Sequence, residues 1–149
     1  TGISDPTVAG ATVSPVVTAI DTLGNTKTDY VGTITFTSDD GSATLPADYT
    51  FVGGDSGVHT FTNEVALETT GDMYVKVDDG GKFGQQSAIT VTPAALASFT
   101  VTGITDPVVA GATVSPVVTA IDTYGNTKTD YTGTITFTSD DGSATLPAE

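Results

Sequence analysis

The sequence predicts an all-β chain, built as a sandwich of about seven antiparallel strands and repeated in tandem. Three observations carry this. Residues 1–48 return as residues 102–149, a shift of 101 residues with five differences: Ser4/Thr105, Thr7/Val108, Leu23/Tyr124, Val31/Thr132 and Asp48/Glu149. A period of that size is one whole β domain, not a solenoid unit. Ile34 and Phe36 alternate with Thr33, Thr35 and Thr37, a half-buried strand pattern, and no segment shows a helical period. Turn signals recur every ~8–12 residues, as in a sandwich.

The elements follow in order. Leu96 to Val101 is an alternating strand that opens the second copy, and its equivalent before Thr1 is absent from the sequence. The expected organisation is therefore a repeat lacking its first strand over residues 1–95, and the first half of the next over 96–149. Such a chain is expected to be cut from a longer protein or to be an incomplete subunit. Asp5-Pro6 reads as a turn. Thr12 to Asp21 reads as the second strand, with Pro15 removing one ladder donor and marking a bulge or edge. Asp21-Thr-Leu-Gly-Asn25 is a tight turn.

Tyr30 to Ser38 is the clearest strand, closed by the turn Asp39-Asp40-Gly41-Ser42. Tyr49 to Val52 follows, then Val58 to Leu67, whose alternation changes phase at Asn63-Glu64, the mark of a bulge. Met73 to Val77, the turn Asp78-Asp79-Gly80-Gly81 and a strand from Ala88 to Thr92 complete the repeat. Pro93-Ala94-Ala95 then leaves little slack, so successive domains are expected end to end. The expected core is Val13, Val17, Ala19, Ile34, Phe36, Leu45, Phe51, Phe61, Val65, Leu67, Val75, Val77, Ile89 and Val91.

Eighteen acids oppose four Lys, a net charge of −14, which argues against binding nucleic acid or anionic lipid. Thr supplies about a fifth of the residues, a bias that suits pleated, half-exposed sheets. There is no Cys, so no disulfide staples the fold. No apolar run approaches the ~20 residues of a membrane helix, and direct membrane insertion is not expected.

The run AGATVSPVVTAIDTLGNTKTDYVGTITFTS, followed by ATLPADYTF, GVHTFTNEVAL and ITVTP, resembles bacterial immunoglobulin-like repeats of the invasin and intimin type. It is more distantly similar to filamin-type repeats. The resemblance covers essentially the whole chain and implies an immunoglobulin-like sandwich in an extracellular stalk, adhesin, surface-layer component or spacer. Val16 and Ile20 depart from it, being apolar where such repeats usually carry polar residues.

Candidate sites are sparse. His59, the one histidine, lacks the partners that a triad or zinc site needs, and reads as a packing or surface residue. The acidic turns at Asp39-Asp40, Asp78-Asp79 and Asp140-Asp141 fit no spaced calcium loop and read as solvated turns. Asp78, Asp79 and Asp106 are the calcium candidates, on the expectation that they flank the joint between domains; no other cofactor is expected. Lys76 and Asn63, on strands expected to be neighbours, are weighed as an isopeptide pair and set aside because alternation turns Lys76 to solvent. Tyr30, Tyr49 and Tyr74 are the outward rings a glycan or receptor platform would need. No nucleophile elbow, phosphate loop or dinucleotide fingerprint occurs, so an enzyme is not expected.

The expectation is a structural repeat of an extracellular surface protein, self-associating into rods, filaments or layers. The alternatives are a carbohydrate- or receptor-binding module and an accessory spacer of a secreted hydrolase. With Val13, Pro15, Val17 and Ala19 facing the core, Val16 and Ile20 point outward, and Val117 and Ile121 repeat them along the rod. These four are the self-association candidates.

Overall fold

The computed structural model describes residues 2–148. The first repeat is a sandwich of two sheets. One sheet has the strand order β1 (Thr7–Val8), β9 (Phe83–Thr92), β8 (Gly71–Asp78), β4 (Thr33–Ser38) and β5 (Tyr49–Thr50). Facing it, β2 (Thr12–Val13) pairs with β7 (Val65–Ala66), and β3 (Val16–Thr18) pairs with β6 (Val58–Thr60).

These two ladders are one pair of strands, each interrupted once. Ser14-Pro15 separates β2 from β3, where Pro15 has no N–H to give, although its carbonyl accepts from Phe61 N at 3.0 Å. On the partner strand the break falls at Asn63, whose φ is 57° and whose N–H is taken by Ser14 Oγ at 2.9 Å. Counting each interrupted strand once gives the expected seven. All pairings are antiparallel except β1 with β9, which runs parallel, Thr7 opposite Val91.

The core lies where the alternation places it. Ile34, Phe36, Phe51, Phe61, Val65, Leu67, Val75, Ile89 and Val91 are buried, and Val13, Val17, Leu45 and Val77 pack against them half-covered. Phe36 and Phe61 meet edge to face across the two sheets, 4.7 Å between ring centroids. Burying one such ring is worth roughly 2–3 kcal/mol. Ala19 is half-exposed and outside this cluster, while Ile3, Ala9 and Ala94 join it unanticipated.

The second repeat starts with β10 (Leu96–Thr102), paired antiparallel with β11 (Val117–Asp122). Residues 134–139, identical to β4 of the first copy, form no strand, and Ile135 and Phe137 are only half-buried where Ile34 and Phe36 are buried. The physical reason is the lack of strand partners and of a facing layer: β4 is paired with β5 and β8, and the second copy as given holds no counterparts of β5 to β9.

Candidate functional site

The most elaborate polar cluster joins the two repeats, and it is built from a turn that occurs twice. In the first repeat Asp21 ends the strand, and its Oδ1 accepts from Leu23 N at 2.9 Å and Asn25 N at 2.8 Å. Asp21 N in turn donates to Asn25 O at 2.8 Å, and Gly24 takes a φ of +88° that favours glycine. In the second repeat Asp122 Oδ1 accepts from Tyr124 N at 2.9 Å and Asn126 N at 2.8 Å. The local turn is the same.

The difference lies in what the second turn meets. Asp122 Oδ2 accepts from Ala94 N at 2.9 Å, and also from Asn126 Nδ2 at 3.0 Å. The Asn126 amide grips the loop before β8 from both sides: Nδ2 donates to Glu68 O at 2.8 Å, and Oδ1 accepts from Thr70 N at 3.1 Å. Thr123 N donates to Ala95 O at 3.1 Å. The Tyr124 phenol lies over the α-carbon of Gly10, so close that a β-carbon there would overlap the ring. Asp122 is 2% exposed, a buried charge whose carboxylate accepts from the N–H groups of Ala94, Tyr124 and Asn126. Burial alone would raise its pKa; the Asn126 and Ala94 donors outweigh that and hold it down at about 2.

The linker contributes directly. Ala94 is buried and its N–H is a ligand of the joint, so Pro93-Ala94-Ala95 is pinned rather than merely short.

The calcium candidates sit elsewhere. β8 begins at Gly71, beside the joint, and carries Asp78 to its far end, about 3.3 Å per residue away, so Asp78 and Asp79 do not flank the joint. The Asp78 carboxylate accepts from Lys76 Nζ at 2.7 Å and Gly80 N at 2.7 Å. Asp79 accepts from Lys82 N at 2.7 Å and Gly81 N at 2.9 Å, and from Tyr30 Oη at 2.9 Å. Asp106 is exposed in the second repeat, before the cis bond to Pro107. Among the described residues, no three His, Asp or Glu side chains gather as a metal site.

The other candidates resolve individually. Tyr30 and Tyr49 are not outward platforms but half-buried core rings, edge-on to Phe51 at 5.2 and 5.5 Å. Burial and the Asp79 bond push the Tyr30 phenol up to about 12. Tyr74 is half-buried. His59 stacks on Tyr49 at 3.9 Å, as packing. Lys76 bridges to Asp78 and lies 4.9 Å from the Phe83 ring centre. Asn63 is not on a strand beside Lys76 but in the break between β6 and β7, on the layer that faces β8, with its N–H taken by Ser14 Oγ. Ile20 is 63% exposed and Val117 57%, whereas Val16 and Ile121 are half-covered.

Sequence reasoning missed Asp122, Asn126, Gly10 and Ala94. Their signal was the repeated Asp-Thr-x-Gly-Asn turn, in which the one difference is Leu23 against Tyr124. Among the described residues no helix is long and apolar enough to cross a membrane.

No family model and no curated protein matches the chain. Among solved structures it is similar to domains 4–9 of the surface layer protein SbsC, at 21% identity and a TM-score of 0.43, over 85% of this chain and 20% of that one. It is also similar to domains 5–6 of the S-layer protein SbsC, at 21% identity and a TM-score of 0.39, over 83% of this chain and 61% of that one. The chain therefore spans less than two thirds of either.

Proposed function

We propose that this chain is a structural, non-enzymatic module of an extracellular surface protein, a rod-forming spacer in a stalk, adhesin body, filament or surface layer. The observation that carries the reading is the joint: a buried carboxylate, an amide clamped on both sides and a pinned linker hold one repeat on the end of the other. Near-identical modules connected this way transmit force and set spacing. The −14 charge keeps neighbouring copies from mispairing at random. A glycan or receptor module draws no support from Tyr30 and Tyr49, whose faces are spent on the core.

Brief protease treatment of intact cells that make the protein, followed by mass spectrometry of the released peptides, tests the location. Peptides of this chain in the released fraction are expected. Their appearance only after lysis would overturn the reading. Small-angle scattering tests the rod: one narrow end-to-end distribution is expected, and a broad hinged one would contradict it.

A further inference from the structure

The turn that closes β4 reads as solvated in the sequence, yet Asp40 within it is 4% exposed. Its carboxylate serves two structures. Oδ1 accepts from Ser42 N at 3.0 Å and shapes the turn, as Asp141 Oδ1 does with Ser143 N at 2.8 Å in the second repeat. Oδ2 reaches out of the turn to the loop before β8, accepting from Glu68 N at 2.6 Å and Thr69 N at 3.0 Å. Thr69 Oγ1 adds a bond to Oδ1 at 2.7 Å. Burial would raise the Asp40 pKa; the Thr69 and Glu68 donors outweigh that and hold it below its ordinary value.

The turn is itself fixed. Ser38 Oγ donates to Tyr74 O at 2.6 Å and accepts from Asp40 N at 3.1 Å, and Asp39 Oδ1 accepts from Tyr74 N at 2.9 Å. Further along, Thr44 and Ala66 exchange backbone bonds of 2.9 and 3.0 Å. Asp40 therefore holds the loop from a rigid base.

The Glu68–Thr69 peptide is bonded at both ends. Its N–H, on Thr69, goes to Asp40, and its carbonyl, on Glu68, accepts from Asn126 Nδ2 at 2.8 Å. A trans peptide directs these groups to opposite sides, so the loop lies between a carboxylate of one repeat and an amide of the other. The same Nδ2 donates to Asp122 Oδ2 at 3.0 Å. A continuous chain of hydrogen bonds thus runs from Asp40 through the peptide and the Asn126 amide to Asp122, two buried carboxylates, one in each repeat. A carboxylate on the N–H pushes electron density onto the carbonyl oxygen and makes it a stronger acceptor.

We propose that Asp40 is a positioning residue of the joint: it sets the Glu68–Thr69 peptide so that Asn126, and through it Asp122, meets a preformed partner. This rests on the joint that carries the spacer reading, and places part of its control in a turn that does not touch the second repeat's turn through any hydrogen bond of its own.

Amide hydrogen exchange at Ala94 tests it, because that N–H is given to Asp122 and not to Asp40. In Asp40→Asn the one remaining oxygen cannot serve both turn and loop, and an NH2 group faces N–H donors. Ala94 is expected to exchange about fivefold faster or more than in the parent, with the Asn126 side-chain NH2 signals shifted, while Ile89 and Val91 keep their protection. Asp39→Asn, in the same turn, should leave Ala94 unchanged; an equal loss there would overturn the proposal. So would an unchanged Ala94 in Asp40→Asn, or a loss that only keeps step with Ile89 and Val91, since Asp40 would then merely support the fold. In an Asn126→Ala background, Asp40→Asn should speed Ala94 by a smaller factor than it does alone, and the full factor would equally overturn the proposal. Should Asp40→Asn melt far below the parent, Thr69→Val removes one donor to Asp40 and none to Asn126; about twofold faster exchange at Ala94 is expected, and no change overturns the proposal. Free exchange of Ala94 in the parent would remove the joint and this inference with it, whereas protection that ignores Asp40 removes the inference alone.

Discussion

The turns Asp21–Asn25 and Asp122–Asn126 share their internal hydrogen bonds and differ in everything around them. In the first, Leu23 is 85% exposed and the Asp21 pKa is lowered chiefly by the Asn25 N–H, with no help from another domain. In the second, the same backbone shape reaches Ala94, Glu68 and Thr70, and the aspartate becomes buried. The turn is locally self-sufficient: its internal bonds are the same with and without the contacts of the joint around it. The cost of shaping it is met within five residues, so docking adds contacts without reordering the chain.

The same contrast holds for the sheets, and there the largest effect is expected. Phe36→Ala opens a cavity in a covered core and should cost about 3–5 kcal/mol, whereas Phe137→Ala should cost about 1 kcal/mol or less. Chemical denaturation of each variant checks this. Equal losses would mean that the second copy is covered in solution as well as the first.

Acid should separate the two turns next. Asp122 has a depressed pKa of about 2 against an ordinary 3.8, so its contribution to the joint is fully present above about pH 4. It is lost as pH falls through about 2. Amide signals of Ala94 and Thr70 should shift through that window, and Asp122→Asn should flatten the profile. A transition of the joint near pH 6 would point to a different group.

These comparisons show what the sequence made legible. Alternation at Ile34 and Phe36, the missing donor at Pro15 and the phase change at Asn63 are local signals, and each appears where expected. The parallel pairing of Thr7–Val8 with β9 is not local: two residues carry no period, and their partners are 84 positions away. Phe83 to Ser87 joins β9 although its Gly and Gln residues show no alternation, because β8 alongside fixes its register. Tyr30 and Tyr49 read as outward because a hydroxyl looks polar, yet each satisfies it on an aspartate at the rim and buries the ring. The joint was illegible because the groups that meet Asn126, the accepting Glu68 carbonyl and the donating Thr70 N–H, are backbone groups that leave no mark on side-chain pattern.

A matched glycine pair sharpens the comparison with a smaller effect. Gly10 and Gly111 have φ of +76° and +80°, so alanine strains both alike, by about 1–2 kcal/mol. Only at Gly10 does the new β-carbon displace Tyr124; nothing lies within 4 Å at Gly111. Gly10→Ala should therefore lose about 1 kcal/mol more than Gly111→Ala, read from thermal melts. Equal losses would place Tyr124 away from Gly10 in solution.

Calcium should do least. Asp78 and Asp79 already accept from Lys76 and from turn N–H groups, at the end of β8 away from the joint. Millimolar Ca²⁺ should move the melting temperature by about 1 °C or less, and a shift of several degrees would reinstate these acids as a binding site.

The most direct measurement is amide hydrogen exchange at Ala94 and Thr70, in the parent chain and in Asp122→Ala. Both amides donate to the second repeat's turn, at 2.9 and 3.1 Å. Protection of both in the parent is expected, with loss of about tenfold or more in the variant, the equivalent of 1.4 kcal/mol, while the Ile89 and Val91 amides of the core keep theirs. Ala94 and Thr70 exchanging freely in the parent, or unchanged in the variant, would contradict a joint held by Asp122.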